Sequence, residues 1–171
     1  MKKLLAIIAL LLLIIPFIKY EVEESTTPRL NTASYEQLNK EEQAQIDCLA
    51  LNIYREAGHE PEDGKLAVAL VTMNRVKAPG FPDSVCKVVQ QKTKNICQFS
   101  WKCIAHLPRI DEELYKYSRE LATYVFLNHY VLEDITLGAL FYHADYVRPR
   151  WKKLEVTTKI GRHIFYKPLE I

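Results

Sequence analysis

The chain reads as a mostly helical α+β domain with a small antiparallel sheet at its C-terminal end. Apolar residues recur at helical spacing in a series of segments up to about residue 125. After Gly138 the pattern changes to short apolar and aromatic runs separated by turn residues. Helices come first and strands follow, without alternation, which is the order of an α+β domain.

The first helix is expected from about Glu41 to Ala57, with Ile46, Leu49, Ala50, Ile53 and Ala57 on one stripe. Gly58 supplies its stop. Pro61 fits the opening turn of a second helix, where Glu62 and Asp63 meet the positive end of the dipole. That helix carries Leu66, Ala69, Leu70, Met73 and Val76 and stops before Pro79-Gly80. A short third helix after Pro82-Asp83-Ser84 holds Val85, Val88 and Val89, and residues 92 to 109 read as a loop. A fourth helix after Asp111 places Leu114, Tyr117, Leu121, Tyr124 and Val125 on one face. Ala139 to Ala144 suits a strand; Leu154–Thr158 and Ile164–Tyr166, parted by Gly161-Arg162, suit a terminal hairpin.

Three regions are expected. Residues 1–20 form an export signal or signal-anchor, residues 21–40 a polar tether, and residues 41–171 one folded domain. Lys2 and Lys3 precede the unbroken apolar run Leu4–Ile15. About 15 helical residues span roughly 22 Å, short of a bilayer core of about 30 Å. No small-x-small cleavage site follows, so a cleaved signal and an anchor at residues 4–18 both stay open. Either one leaves the lysines in the cytoplasm and exports the domain, to a periplasmic or other extracytoplasmic place.

Charge narrows the partners. The formal net charge is +2, and without Lys2, Lys3 and Lys19 the basic residues fall just below the 21 acidic ones. A nucleic-acid binder is more basic than that, so no nucleic acid is expected. The balance is uneven, however: seven Lys or Arg and three Asp or Glu lie between His143 and Ile171. Such a patch suits an anionic polymer or a solvated tail. Cys48, Cys86, Cys97 and Cys103 fit an oxidising compartment and allow three full pairings. Cys48, near the first helix's stripe, reads as a free buried thiol, with one local bridge among the other three. No CxxC or HxxxH pair occurs, so no metal is expected, and no cofactor.

The strongest chemical signal is Glu56. At roughly 100° per residue it lies beside the apolar stripe, next to Leu49, and close to the negative end of its helix. Half-burial and the dipole both disfavour the ionised form, so its pKa should rise, as a general acid requires. Glu60 reads as a capping or surface charge. Gln98, Ser100 and Trp101 sit with Phe99 on a loop, where aromatic faces beside hydrogen-bonding groups suit sugar rings. Tyr142 and His143 lie on the predicted strand and are candidates for the same cleft. His163 reads as a structural histidine. Neither GxSxG nor a phosphate-binding glycine loop is present.

The run Asn52-Ile-Tyr-Arg-Glu-Ala-Gly-His-Glu-Pro-Glu-Asp-Gly-Lys-Leu-Ala-Val-Ala resembles the signature block of the SleB-type cell-wall hydrolases. The likeness continues through Asn74-Arg75-Val76, Cys97-Gln-Phe-Ser-Trp101, Tyr142-His143-Ala144, Val147-Arg-Pro149, Trp151 and His163-Ile-Phe-Tyr166. It covers about residues 45 to 167. The resemblance implies a lysozyme-like α+β fold and a lytic transglycosylase cleaving between N-acetylmuramic acid and N-acetylglucosamine with one glutamate, which falls on Glu56. Gln98, Ser100, Trp101, Tyr142 and His143 are the expected substrate-binding groups. Glu60 matches a second, structural glutamate. The family's Arg-Gly after Glu-Ala is here Gly58-His59, a different turn without the arginine. The expected partners are peptidoglycan glycan strands and, through the N-terminal segment, the cytoplasmic membrane; a monomer is expected. The rival readings are a hydrolytic muramidase, a non-catalytic peptidoglycan-binding module of the same fold and a membrane-tethered interaction protein.

Overall fold

The computed structural model describes residues 33–169. Four helices lead: α1 (Lys40–Ala57), α2 (Glu62–Lys77), α3 (Val85–Gln90) and α4 (Glu112–Asn128). Between α3 and α4 lie a two-stranded ladder, β1 (Lys92–Thr93) with β2 (Ile96–Cys97), and a 3₁₀ turn at Ser100–Cys103. The segment expected as plain loop thus carries local structure. Its strands are two residues each, too short for a period of two to show in sequence. β3 (Phe141–Ala144), β4 (Leu154–Ile160) and β5 (His163–Pro168) close the chain as an antiparallel sheet in the order β3-β5-β4. The predicted α+β class is the observed one. The export segment and residues 21–32 of the tether lie outside the described residues. Among the described residues no helix is long and apolar enough to cross a membrane.

α1 starts at a reciprocal cap. The Asn39 side chain accepts from the Glu42 amide at 3.0 Å, and the Glu42 carboxylate accepts from the Asn39 amide at 3.1 Å. Its stripe of Ile46, Leu49, Ala50 and Ile53 is buried against α3, α4 and one side of α2. Tyr35 and Leu38, within the expected tether, pack against this same core, and the Tyr35 hydroxyl donates to Asp47 at 2.8 Å.

α2 is the central element. Ala69, Leu70 and Met73 join the helical core, whereas Ala67 and Val71 join Phe165 and Ala139 under the C-terminal sheet. A helix covered on two sides is apolar nearly all round, and one expected stripe understates it. α4 is turned from its expected face. Ser118, Ala122 and Val125 are buried, whereas Tyr117 and Tyr124 remain exposed. Small residues let α4 approach α1 closely, and at the surface the Tyr117 hydroxyl meets the Glu62 carboxylate.

Cys48 is not a free thiol: it is bonded to Cys86, and so ties α1 to the start of α3. Cys97 and Cys103 form the local bridge, which closes the β2–3₁₀ segment. The helical stripe placed Cys48 near the core but could not show that α3 crosses beside it. Gly58 ends α1 without leaving the right-handed region, at φ −53°. A Cβ there would lie 2.5 Å from the Tyr54 carbonyl oxygen, so close approach and not a left-handed turn demands glycine.

The two bridges should differ in their effect on stability. The Cys48–Cys86 loop spans 38 residues and the Cys97–Cys103 loop six. On chain entropy alone, removing the first costs about 4 kcal/mol and the second about 2 kcal/mol. Urea denaturation of the paired Cys→Ala variants measures both, and the first pair should lose more.

Candidate functional site

Glu56 occupies the last turn of α1, where the helix meets the inner end of β3. It opens into a cleft of about 480 Å³ whose walls come from α1, α2, the 98–104 segment and β3. The structure brings all six sequence-nominated residues, Glu56, Gln98, Ser100, Trp101, Tyr142 and His143, to this one cleft. Among the described residues that line it, Glu56 is the only carboxylate.

One wall is hung on a buried amide. Asn52, one turn before Glu56, accepts from the Trp101 indole N–H at 3.0 Å and donates to the Thr72 hydroxyl at 3.2 Å. Thr72 in turn donates to the Val68 carbonyl at 2.9 Å. Asn52 and Thr72 are fully buried and Trp101 is 6% exposed. Trp101 is therefore a core anchor that shows the cleft only part of its surface. The exposed Ser100 and half-buried Gln98 beside it are better placed to meet a ligand.

The opposite wall depends on α2. Asn74 donates to Asp134 at 2.8 Å and to the Ala139 carbonyl at 3.2 Å, and Arg75 Nε donates to the Leu140 carbonyl at 2.7 Å. These bonds fix the backbone just ahead of β3, and so place Tyr142. Its hydroxyl donates to Glu56 Oε2 at 3.2 Å. Tyr142 also packs on Phe165 and, edge to face, on His163 at 5.2 Å.

Burial raises the Glu56 carboxyl above the ordinary carboxylate value; the Tyr142 hydrogen bond and the positive charge of Arg75 pull it down, and burial wins. Burial and the nearby Glu56 charge push the Tyr142 hydroxyl far up, so it stays a donor. Arg75 is 3% exposed, and its guanidinium lies over the rings of Phe99, Phe81 and Phe141 at 5.0, 5.5 and 5.9 Å. Its Nη1 is buried without a hydrogen-bond partner among the described residues.

His143 borders the cleft, but its ring belongs to the outer face of the sheet. Nδ1 meets the Ala144 carbonyl and Nε2 the Tyr166 hydroxyl, each at 2.8 Å. His163, 7% exposed, lines the cleft, and burial lowers its pKa, so it is neutral near pH 7. Glu60 is structural. Its carboxylate accepts from the Arg162 amide at 2.9 Å, and Lys65 donates to its backbone carbonyl. Sequence reasoning missed Asn52 and Arg75 as members of the site. The signal was available: both are polar residues on otherwise apolar helix faces, which a core accepts only when they are bonded.

A family model described as Cell Wall Hydrolase matches residues 59–166, beginning just after Glu56. The chain belongs to the cell wall hydrolase family. The spore cortex-lytic enzymes of Halalkalibacterium halodurans and Bacillus subtilis are each 31% identical over 122 residues, 70% of this chain. The match spans 34% of the first enzyme's length and 36% of the second's. Among solved structures, the catalytic domain of the germination-specific lytic transglycosylase SleB from Bacillus anthracis is 31% identical, with a TM-score of 0.54. That alignment covers 73% of this chain and 95% of that one. The Bacillus cereus SleB catalytic domain gives 0.53 at the same identity, over 91% of its length. The lysozyme-like expectation thus resolves to a SleB-like catalytic-domain fold.

The electrostatics carry a signed expectation for stability. Glu56 has a raised folded-state pKa, so the fold opposes its ionisation as pH rises through the carboxylate range. Glu56→Gln should therefore raise the melting temperature above that range and leave it unchanged at low pH, where the acid is neutral in both states. Tyr142→Phe removes a bond that favours the carboxylate, so the Glu56 pKa should climb further. Thermal melts against pH, with carboxyl NMR titration, measure both.

Proposed function

We propose that this domain cleaves the β-1,4 bond between N-acetylmuramic acid and N-acetylglucosamine in peptidoglycan, as a lytic transglycosylase with Glu56 as its one acid and base. The observation that carries this reading is a half-buried, protonatable Glu56 as the single carboxylate, among the described residues, of a cleft walled by aromatic and hydrogen-bonding groups. The relatives' printed names, spore cortex-lytic enzyme and lytic transglycosylase, point the same way.

In this reading the protonated Glu56 donates to the glycosidic oxygen as its bond to muramic C1 breaks. Positive charge develops at C1. The muramic C6 hydroxyl then attacks C1, and its proton returns to Glu56. A 1,6-anhydro ring closes, no water is consumed, and the carboxyl ends as it began. Arg75 and the Tyr142 hydroxyl steady the carboxylate between the two transfers, and neutral His163 holds the Tyr142 ring by its edge. Gln98 and Ser100 are assigned to holding the sugars, with Trp101 and Tyr142 as the wall behind them; His143, its ring turned to the outer face, is not.

The same reading makes the domain extracytoplasmic. Residues 1–20 export it or tether it to the cytoplasmic membrane, where the expected substrate lies.

Replacing the carboxyl decides the reading. Glu56→Gln should lower release of glycan fragments from purified sacculi by about 10²–10⁴-fold while the protein keeps its fold by circular dichroism. Mass spectrometry of wild-type digests should find anhydro-muramic ends. Ends heavier by one water would make the enzyme a hydrolytic muramidase. Unchanged release by Glu56→Gln would remove Glu56 from the reaction, and a wild type that binds sacculi without clearing them would make this a binding module.

A further inference from the structure

A second hollow, of about 450 Å³, lies on the outer face of the C-terminal sheet, across β3 from Glu56. His143, Trp151, Leu154, Ile164 and Tyr166 form its wall, and Arg148 stands at its side. The wall is built from aromatic contacts. The Trp151 ring meets Tyr166 and His143 edge to face at 5.6 and 5.5 Å, and His143 stacks on Tyr166 at 5.2 Å. Both ring nitrogens of His143 are engaged, so this surface is held in one arrangement. Trp151 is nevertheless 44% exposed.

Two features connect this hollow to the cleft. β3 is an edge strand, so no further strand stands between the two cavities. His143 and Val147 border both. A chain-like substrate in the cleft can thus reach the hollow by passing over one strand.

Charge indicates what would pass. Arg148, which lines the hollow, forms no ion pair among the described residues, whereas Asp145, the one acid of that lining, is already paired with Lys159 at 3.1 Å. Arg148 is thus a cation without a protein anion at the hollow's rim, on a stretch of chain that also carries Arg150, Lys152 and Lys153. Stripped of its stem, a muramic acid keeps one lactyl carboxylate, held close to its own ring in the cleft, and has nothing to lay on the aromatic wall. A short peptide with free carboxylates and aliphatic side chains suits both the rim and the aromatic wall.

We infer that this outer hollow is a subsite for the anionic peptide stem of a muramic acid residue whose glycan occupies the Glu56 cleft. The inference rests on the peptidoglycan reading above and adds to it a preference for peptide-bearing over peptide-free strands. Arg148 supplies the charge recognition and Trp151 the apolar floor.

Two substrates separate the possibilities: sacculi with stems intact, and glycan strands stripped of stems by an amidase. Wild-type protein should show a KM for stripped strands about tenfold above that for intact ones. Arg148→Glu changes an exposed residue and should leave the fold intact. It should raise KM about tenfold on intact strands only, and bring the two substrates level. In the Glu56→Gln background, the same change should weaken sedimentation with intact sacculi, and added salt should shrink the difference. Equal KM values for wild type on both substrates, or an Arg148→Glu effect of the same size on both, would overturn the subsite and leave the cleft reading standing. No cleavage by wild type and no sedimentation of Glu56→Gln would overturn both, and so identify the earlier reading as the failure.

Discussion

The site depends first on the Asn52 amide. It lies in a dry core between α1, α2 and the 98–104 segment, and both of its polar ends are used. An unmade hydrogen bond at such depth costs about 1–3 kcal/mol, so the core closes fully only when Trp101 docks on Asn52. Docking Trp101 carries Gln98 and Ser100 to the mouth of the cleft. It also fixes that wall against α1 one turn before Glu56. The folding core and the cleft thus share one polar contact, and the substrate wall cannot loosen without exposing buried polar groups.

A second consequence concerns Glu56 itself. Burial alone would leave an acid too reluctant to ionise, and a full ion pair would leave a carboxylate too reluctant to take a proton. The structure sits between these limits. Arg75 commits Nε to the Leu140 carbonyl and lies against three phenylalanine rings, which fixes it near the carboxyl; its attraction tempers the effect of burial without cancelling it. Tyr142 adds one neutral hydrogen bond. Such a balance suits a group that must both give and take a proton in one turnover. It also ties the chemistry to fold elements distant in sequence, because α2 anchors the segment leading into β3 through Asn74 and Arg75.

Much of this was legible in the chain, and the failures have physical reasons. Glu56 could be placed because a helix has a fixed angular step, and its neighbourhood follows from Leu49 and Ile53 alone. The C-terminal hairpin was legible because Gly161-Arg162 parts two β-rich runs. α4 was misjudged because periodicity counts Tyr117 and Tyr124 as apolar, whereas packing against α1 preferred Ser118 and Ala122. Cys48 was misjudged because pairing is a matter of tertiary proximity, which no helical wheel contains. Arg75 could be noticed as a polar residue on an apolar helix face, but its partners appear only when β3 and the Phe99 loop converge on it.

The remaining question is why, in the proposed reaction, one carboxyl should do work that many glycosidases divide between two. A two-acid mechanism needs its second carboxyl about 5–10 Å from the first, across the scissile bond. Glu60 is the nearest acid in sequence, and it does not line the cleft. It is held instead by the Arg162 amide, joining the α1–α2 turn to the β4–β5 turn. Gly161, at φ +56°, is part of the same contact: a Cβ there would collide with the Glu60 carboxylate. A carboxylate fastened to a hairpin turn is not free to swing into the cleft as a nucleophile or base. In this reading the chain gives Glu60 to architecture, fastening the hairpin, whose β5 pairs with β3, to the α1–α2 turn. With no other carboxylate among the described lining residues, the proposed chemistry draws its nucleophile from the sugar's own C6 hydroxyl. The contact that holds Glu60 away from the cleft also helps to hold the sheet that presents Tyr142 to Glu56.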